Sequence, residues 1–544
     1  MLTRSIIDFY DNKAIFITGA TGLLGKSVIE KLLRSCHGIK YIYVLIRPKR
    51  GASVAERLAN LLSSELFDLV RIENPKALNK IKAFAGNVTD ANFGLNDNDL
   101  NELLNNVSVV IHAAATVRFN EPLKLATEMN VIPVIKLIEM CHQMKNLEIL
   151  IHISTAYANC DMGVVHEYVY PPSIDPYKVV DIVQCLDEDL INLITPGMLK
   201  NKPNTYTFTK QLAEYIIQQN IDKLPLVIVR PSIIGASVTE PFPGWIDNFN
   251  AATGLIAAIS KGMLRSMMGD YNKSANIIPV DTTANFIIAA GWYSAGTYGT
   301  KLTNGNVQIE DSDSSEYETK KSVISNYNSI PSDTAFIPVF NCTLENDKLT
   351  WGTFVKALLP RVQHNPSISC NRFPNFHMTT ASWYHDLKWT FSHMIPAAFL
   401  DMLQLLQGQS PKYMRGMDRL KDTVVRLSYF TLNHWHFDCN NKASVWRTMS
   451  EADRKNFNFE LSNIDWVSYL NVYHHGTKKY ALKENTNYKS FSRGKRLRVL
   501  YFGFRYISML VVLLFMMQKM HVFNGIFFQL IKILVRIVRL IRVI

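Results

Sequence analysis

The chain reads as an α/β protein: a doubly wound parallel sheet, then a mostly helical C-terminal region and a membrane-associated helical tail. Three observations predict this. Residues 18–25, Thr18-Gly19-Ala20-Thr21-Gly22-Leu23-Leu24-Gly25, form a glycine-rich turn between an apolar run and a helical pattern. Tyr206 and Lys210 stand four residues apart in a helix-compatible stretch. No Asp or Glu follows Glu484, while eleven Lys and Arg residues do, set among long apolar runs.

Taken in order, residues 13–18 predict a buried strand that opens on the glycine turn, Lys26 to Cys36 a helix, and Tyr41 to Arg47 a second strand. A glycine turn needs this strand–turn–helix–strand setting to hold a pyrophosphate against a helix N-terminus, and the fold it belongs to is the Rossmann type. Apolar runs at Lys82–Ala85, Val107–Ala113, Ile149–Ile153 and Leu226–Arg230 predict further parallel strands. The length of 544 residues exceeds one ordinary domain. The expected division is a dinucleotide-binding domain over 1–304, a polar insertion or linker over 305–349, a helical domain over 350–484 and a tail over 485–544. The insertion rests on the polar stretch around 305–335, which has too little apolar surface to form a core. Met394–Gln407 and Ser444–Phe457 are predicted helices of the second domain.

The net charge of +12 is concentrated at the end of the chain. Without the eleven cations after Glu484 the body is nearly neutral, so the charge points to an anionic membrane surface and away from nucleic acid. Val499–Gln518 is expected to span or enter the bilayer, with Arg505 reaching towards an interface. Lys532, Arg536, Arg539 and Arg542 fall on one face of a predicted amphipathic helix over 522–544. The alternative is a buried core hairpin. Seven scattered cysteines without CxxC spacing predict neither a disulfide framework nor a zinc site, and suit a reducing compartment. Residues 1–10 have no signal-peptide h-region. His434, His436, His474 and His475 lack a regular ligand spacing, so no metal is expected.

The chemistry follows from residue types at particular strand ends. Thr18, Gly19, Thr21, Gly22, Leu23 and Gly25 are the candidate dinucleotide cradle. Arg47 ends the second strand with Lys49 and Arg50 behind it and no carboxylate, which favours a 2′-phosphate and hence NADPH. A solvated basic loop is the bland reading. His112, Ala113 and Ala114 end another strand, where small residues permit close backbone approach. A Tyr and a Lys at i and i+4 share a helix face, so Lys210 is expected to lower the Tyr206 phenol towards neutrality for proton transfer at a carbonyl. Ser154 or Thr155, after the strand ending at Ile153, offers a hydroxyl to the same oxygen, with helix capping or a turn as the equal local alternative.

The turn with Tyr206 and Lys210 resembles the extended short-chain dehydrogenase/reductases. More narrowly, the chain resembles the fatty acyl-CoA reductases of insect type. The resemblance lies in Phe16–Gly22, Val44–Gly51, Arg230-Pro231-Ser232-Ile233-Ile234, Pro243–Asn248 and Ile278-Pro279-Val280-Asp281. In the second region it lies in Trp351-Gly352, Tyr429-Phe430-Thr431 and Phe457-Asn458-Phe459. It covers about residues 5–484, and the second region resembles that family's male-sterility-type domain. It implies reduction of a long-chain acyl-CoA to a primary alcohol, as in wax or pheromone synthesis. Two NADPH are used, a bound aldehyde lies between the two steps, and the catalytic residues are Tyr206, Lys210 and Thr155. Asn87, Val88, Pro231 and Ile233 join the cofactor-binding set, with Asn87 standing where the family usually has Asp. The expected site is the endoplasmic reticulum membrane with the body in cytosol, ahead of the peroxisomal membrane. The rival readings are a membrane-bound hydroxysteroid or sugar-nucleotide dehydrogenase and a non-catalytic NADPH-binding scaffold. Chain-length preference and oligomeric partner are left open by the sequence.

Overall fold

The computed structural model describes residues 4–48, 51–303, 337–344, 348–484, 488–519 and 532–533. The polar stretch 305–335, Lys49, Arg50 and nearly all of 522–544 lie outside the described residues.

Seven strands form the central sheet: β1 Ala14–Thr18, β2 Tyr41–Ile46, β3 Ile81–Ala85, β4 Val107–His112, β5 Ile149–Ile153, β6 Leu226–Pro231 and β7 Val339–Cys342. All pair in parallel, in the order β7-β6-β5-β4-β1-β2-β3. The order reverses between β1 and β4, so a crevice opens at their C-terminal ends, where ligands of open α/β sheets bind. β1, β5 and β6 are buried throughout because helices cover both faces.

Helix α1 (Leu23–Ser35) and the long helix α2 (Val280–Thr303) cover one face of the sheet. Helix α3 (Thr205–Gln218) covers the other through Phe208, Leu212, Ala213 and Ile216. Each fully buried Leu, Ile or Phe contributes about 1.5–3 kcal/mol, so these faces supply most of the driving force for the sandwich.

Three expectations differ from the structure. The α1 pattern starts at Leu23, inside the glycine motif, because Gly22 already takes the cap position. Ser444–Phe457 is two helices, Asn440–Thr448 and Glu451–Asn456, since Ser450 caps the second through the Asp453 N–H at 3.1 Å. Within the expected linker, Val339–Cys342 is a sheet strand in register with Ile228–Pro231. Four residues beside a polar stretch carry too short a pattern to announce a strand.

The C-terminal region is not a separate body. His377–Thr379 pairs with Ser266–Met268, and His436–Phe437 with Val164–Val165. Trp351, Phe457 and Tyr473 join the same apolar cluster as β1 and α1. Helix α4 (Ile395–Leu406) and helix α5 (Tyr413–Leu432) pack together, and helix α6 (Tyr488–Lys519) leaves the body. Its Ser490–Met516 stretch is long and apolar enough to cross a bilayer and is almost wholly unburied. This agrees with the tail expected from sequence and begins nine residues earlier than Val499.

The Arg-Pro-Ser motif has a structural partner. The Arg230 guanidinium makes a two-pronged pair with Glu214 of α3, Nε to Oε1 at 2.8 Å and Nη2 to Oε2 at 2.7 Å. Both side chains are fully buried. The guanidinium also donates to the carbonyls of His166 at 3.0 Å and Tyr168 at 2.8 Å. Glu214→Leu leaves this guanidinium buried and unpaired, so we expect a loss of about 3–5 kcal/mol in urea or thermal unfolding. The double replacement with Arg230→Met is expected to recover most of it. A single variant within 1 kcal/mol of the parent contradicts this account.

Candidate active site

The glycine cradle is built by backbone contact. Gly19 has φ +74°, a conformation that strains L side chains, and a Cβ there would stand 2.6 Å from the Ala113 carbonyl. At Gly25 a Cβ would collide with the Gly19 carbonyl, and at Gly22 it would press on the same oxygen at 3.2 Å. The Gly22 N–H closes the turn on the Gly19 carbonyl at 2.9 Å. Gly22 caps α1 without a side-chain hydrogen bond, so its first N–H groups, beside half-buried Thr21 and Leu23, face the crevice. Thr18 fixes the floor: its Oγ1 pairs with His112 Nδ1 at 2.8 Å and accepts the Ala114 N–H at 3.3 Å. This bare, tightly approached cradle fits a dinucleotide pyrophosphate.

Arg47 is exposed at the end of β2. Arg57, from the next helix, donates to the Arg47 carbonyl, a second cation at this strand end that only the fold reveals. Asn87 and Val88 follow β3. The Asn87 side chain is engaged with Thr89 and Asp90 in its own turn, and Val88 is core. Pro231 ends β6, and Ile233 follows in a short pair with Ile277–Pro279.

At the end of β5 the structure brings together Thr155, Tyr206 and Lys210. Asn204 caps α3 by accepting the Thr207 N–H at 2.9 Å, which sets Tyr206 in the first turn and Lys210 one turn on. Buried Lys210 donates to the Ile153 carbonyl at 2.7 Å. Burial pulls the ammonium down to about 8, partly offset by Glu214. Tyr206 departs from expectation. Burial pushes its phenol up to about 12, and the opposing influence is a hydrogen bond with the Thr155 side chain, not Lys210. The lysine charge is spent first on a strand-end carbonyl. Thr155 also caps the turn Ala156–Asn159 through the Tyr157 N–H at 3.3 Å and lies 3.5 Å from the Pro231 carbonyl, so both local alternatives are realised.

Three features were not read from the sequence. His152 stacks on His112 with ring centroids 5.5 Å apart, across neighbouring strand ends. Burial and Lys210 hold both rings neutral, His112 down to about 3. Their shared register at the ends of β4 and β5 is a signal that strand alignment would expose. Buried Asn130 donates to Thr209 Oγ1 at 3.0 Å and accepts the Thr116 N–H at 2.9 Å, which seats the loop after β4 against α3. Finally, Phe119 lies 5.8 Å from the Tyr206 ring and 5.2 Å from Phe430. Tyr157 meets Phe430, Trp435 and Phe437 edge to face. The C-terminal region thus supplies an aromatic wall beside the phenol.

Sheet order, glycine cradle and the Tyr206–Lys210 helix define a Rossmann-type, nicotinamide-dependent reductase. Family models described as male sterility protein match residues 17–287, the NAD-binding part, and residues 392–484. Fatty acyl-CoA reductase 1 of Xenopus laevis is 38% identical over 513 residues, 94% of this chain and 92% of that one. Fatty acyl-CoA reductase 1 of Homo sapiens is 37% identical over 93% of this chain and 92% of its own length, and fatty acyl-CoA reductase 2 of Mus musculus is 37% identical over 88% and 87%. The chain belongs to the fatty acyl-CoA reductase family. These relatives are vertebrate and do not single out an insect-type branch. Among solved structures, the reductase domain of a non-ribosomal peptide synthetase from Mycobacterium tuberculosis superposes with TM-score 0.53 at 14% identity, covering 87% of this chain and 92% of that one. The terminal R domain of the myxalamid pathway gives 0.52 at 14% identity over 88% and 93%. At that identity the likeness is one of fold.

Gly19→Ala tests the cradle. Left-handed backbone costs a non-glycine residue roughly 1–2 kcal/mol, and the collision with Ala113 adds to it. We expect dinucleotide affinity, read by fluorescence titration, to fall at least about tenfold. Unchanged affinity in a folded variant removes the cradle from the site.

Proposed function

We propose that this protein reduces a long-chain fatty acyl-CoA to the primary alcohol with release of CoA, using NADPH. The observation that carries the reading is the Tyr206 phenol, hydrogen-bonded to Thr155 after β5 and flanked by the Phe119–Phe430 wall. The family's acyl-CoA reductases act on a long apolar chain, and an aromatic wall built by a second region gives that chain a surface to lie on.

When bound, the dihydronicotinamide supplies hydride, one per two-electron reduction, so a thioester-to-alcohol conversion consumes two. Thr155 and Tyr206 donate hydrogen bonds to the carbonyl oxygen as negative charge grows on it. Collapse of the hemithioacetal expels CoA and leaves the aldehyde at the same donors. In the second reduction Tyr206 gives its proton to the alkoxide. A phenol pushed up to about 12 is protonated at neutral pH, the state a proton donor needs at the outset. Lys210 fixes the β5 end through Ile153 and would hold the nicotinamide ribose of a bound dinucleotide. Arg47 and Arg57 at the β2 end, with Lys49 and Arg50 in the sequence beyond, favour the 2′-phosphate of NADPH. Helix α6 anchors the protein in the endoplasmic reticulum membrane with its body in cytosol, and the eleven cations of the sequence after Glu484 favour an anionic lipid surface.

Membranes bearing the protein, given palmitoyl-CoA and either NADPH or NADH, are expected to form hexadecanol, much faster with NADPH. Tyr206→Phe is expected to bind dinucleotide normally and lose about 10²–10⁴-fold in turnover. Alcohol formation by the folded variant at parental rate removes Tyr206 from the chemistry. Equal rates with the two dinucleotides remove the 2′-phosphate reading.

The pH profile tests Lys210. Its ammonium is held down to about 8, so the charged form predominates below that pH and is lost above it. Turnover is expected to fall on the alkaline side with an apparent pKa near 8. Lys210→Arg, whose guanidinium stays protonated, is expected to move that limb upward. A limb unchanged in the variant belongs to another group.

A further inference from the structure

Helix α4 is inverted. Its inward side carries Ala397, Asp401 and Gln404, the last two only 6% and 8% exposed. Its outward side carries Ile395, Phe399, Met402, Leu403 and Leu406, with Leu406 76% exposed. The inward polar groups have a reason. Asp401 accepts the Lys412, Tyr413 and Met414 N–H groups, each at 2.8 Å, and so caps the start of α5. Nothing comparable accounts for the outward apolar face in water.

The face continues upstream. Helix Ser382–Trp389 runs through an i→i+5 turn at Thr390–Met394 into α4. A four-residue step overshoots a turn of 3.6 residues, and the wider turn rotates it back. Trp383, Leu387, Phe391, Ile395 and Phe399 therefore form one stripe, with Trp383 71% and Phe391 65% exposed. Asp386 is the sole acid from 382 to 400, and Lys388 lies over the Tyr384 ring beside it. Lys412 and Arg415 stand just beyond the far end.

The stripe and the bilayer-length helix α6 share one seat. Arg372 donates to the Ser392 carbonyl at 2.7 Å, and His393 Nε2 accepts the Arg265 N–H at 3.0 Å. One residue on from Arg372, Phe373 stacks on Tyr501 of α6 with ring centroids 5.0 Å apart, and Asn375 Nδ2 donates to the Tyr501 hydroxyl at 2.9 Å. Arg265 also reaches over the Tyr501 ring. Beyond Tyr501 most of the described apolar side chains of α6 are exposed, Val512 at 58% and Leu513 at 54% among them, so a bilayer crossed by it meets the body on the side that carries the stripe. Aromatic, aliphatic and cationic groups in this arrangement match a membrane interface.

We propose that the outward face of residues 382–406 is a second membrane contact, embedded in the leaflet that α6 enters. The occupant is lipid. The proposal rests on the reading of α6 as a bilayer helix. It gives the fold a consequence for catalysis: α5, capped by Asp401 at the embedded end, runs to Phe430 in the aromatic wall beside Tyr206. The site is thus one helix away from the acyl-chain layer.

The test uses the full chain reconstituted in phosphatidylcholine vesicles containing phosphatidylserine. Cys185→Ser removes the exposed thiol found among the described residues, the other six cysteines being buried. A single nitrobenzoxadiazole label is placed at Leu406→Cys, Phe399→Cys, Leu513→Cys in α6 or, as a remote control, exposed Leu193→Cys. Retained alcohol formation certifies each labelled protein. The expected result is loss of emission with doxyl-acyl lipid and shielding from iodide at 399, 406 and 513, and the reverse at 193. Labels at 399 and 406 open to iodide, while 513 is quenched by doxyl lipid, overturn the proposal and leave the α6 reading standing. Labels at 399 and 406 shielded from both quenchers also overturn it, in favour of a protein partner. A label at 513 open to iodide overturns both readings.

Discussion

The buried pair of Arg230 and Glu214 organises the site more than any other contact. Arg230 sits in β6 and Glu214 in α3, one helical turn after Lys210, so the pair sets how α3 lies on the sheet. Two further guanidinium hydrogens hold the carbonyls of His166 and Tyr168. Glu167 between them accepts the Asn341 N–H at 2.9 Å from β7 and the Asn441 N–H at 2.6 Å from the C-terminal region. A buried charge needs a partner with good geometry and further hydrogen bonds to offset its desolvation. Through Arg230 and Glu167 five chain segments, β6, α3, residues 166–168, β7 and the segment at Asn441, meet around the end of the sheet.

The electrostatics of the Tyr–Lys pair follow from this packing. Lys210 lies against a strand-end carbonyl in a buried place, so its own charge is costly and its influence on Tyr206 is small. The phenol is governed by burial instead. Stacked, neutral His112 and His152 beside them keep the region free of competing charge. The arrangement suits a group that begins protonated and gives its proton only when an oxyanion forms against it.

The C-terminal region works as a structural completion of the first. It forms two short two-stranded parallel sheets with segments of the first region, and Thr431 Oγ1 donates to the Met268 carbonyl at 2.8 Å. Trp435 Nε1 and the Tyr429 hydroxyl both donate to the Cys160 carbonyl, at 2.8 and 3.0 Å. The family motif Tyr429-Phe430-Thr431 therefore joins the two regions and carries the ring that meets Phe119.

Local signals determined much of this protein. The glycine turn, its flanking strand and helix, and the Tyr206–Lys210 spacing are short-range patterns, and each appears in the structure within a few residues of where the pattern lies. The acid-free apolar tail is likewise a property of composition, which needs no partner to be visible. What the sequence could not determine depends on groups far apart in the chain. Val339–Cys342 becomes a strand only because β6 offers it an edge. Arg57 joins Arg47 only because its side chain reaches the Arg47 carbonyl from the next helix. The direction of the Tyr206 shift, the aromatic wall from residues 430–437 and the outward apolar face of α4 are decided by burial. Burial belongs to the assembled fold, since the same phenylalanine or phenol has no inside or outside until distant segments close around it.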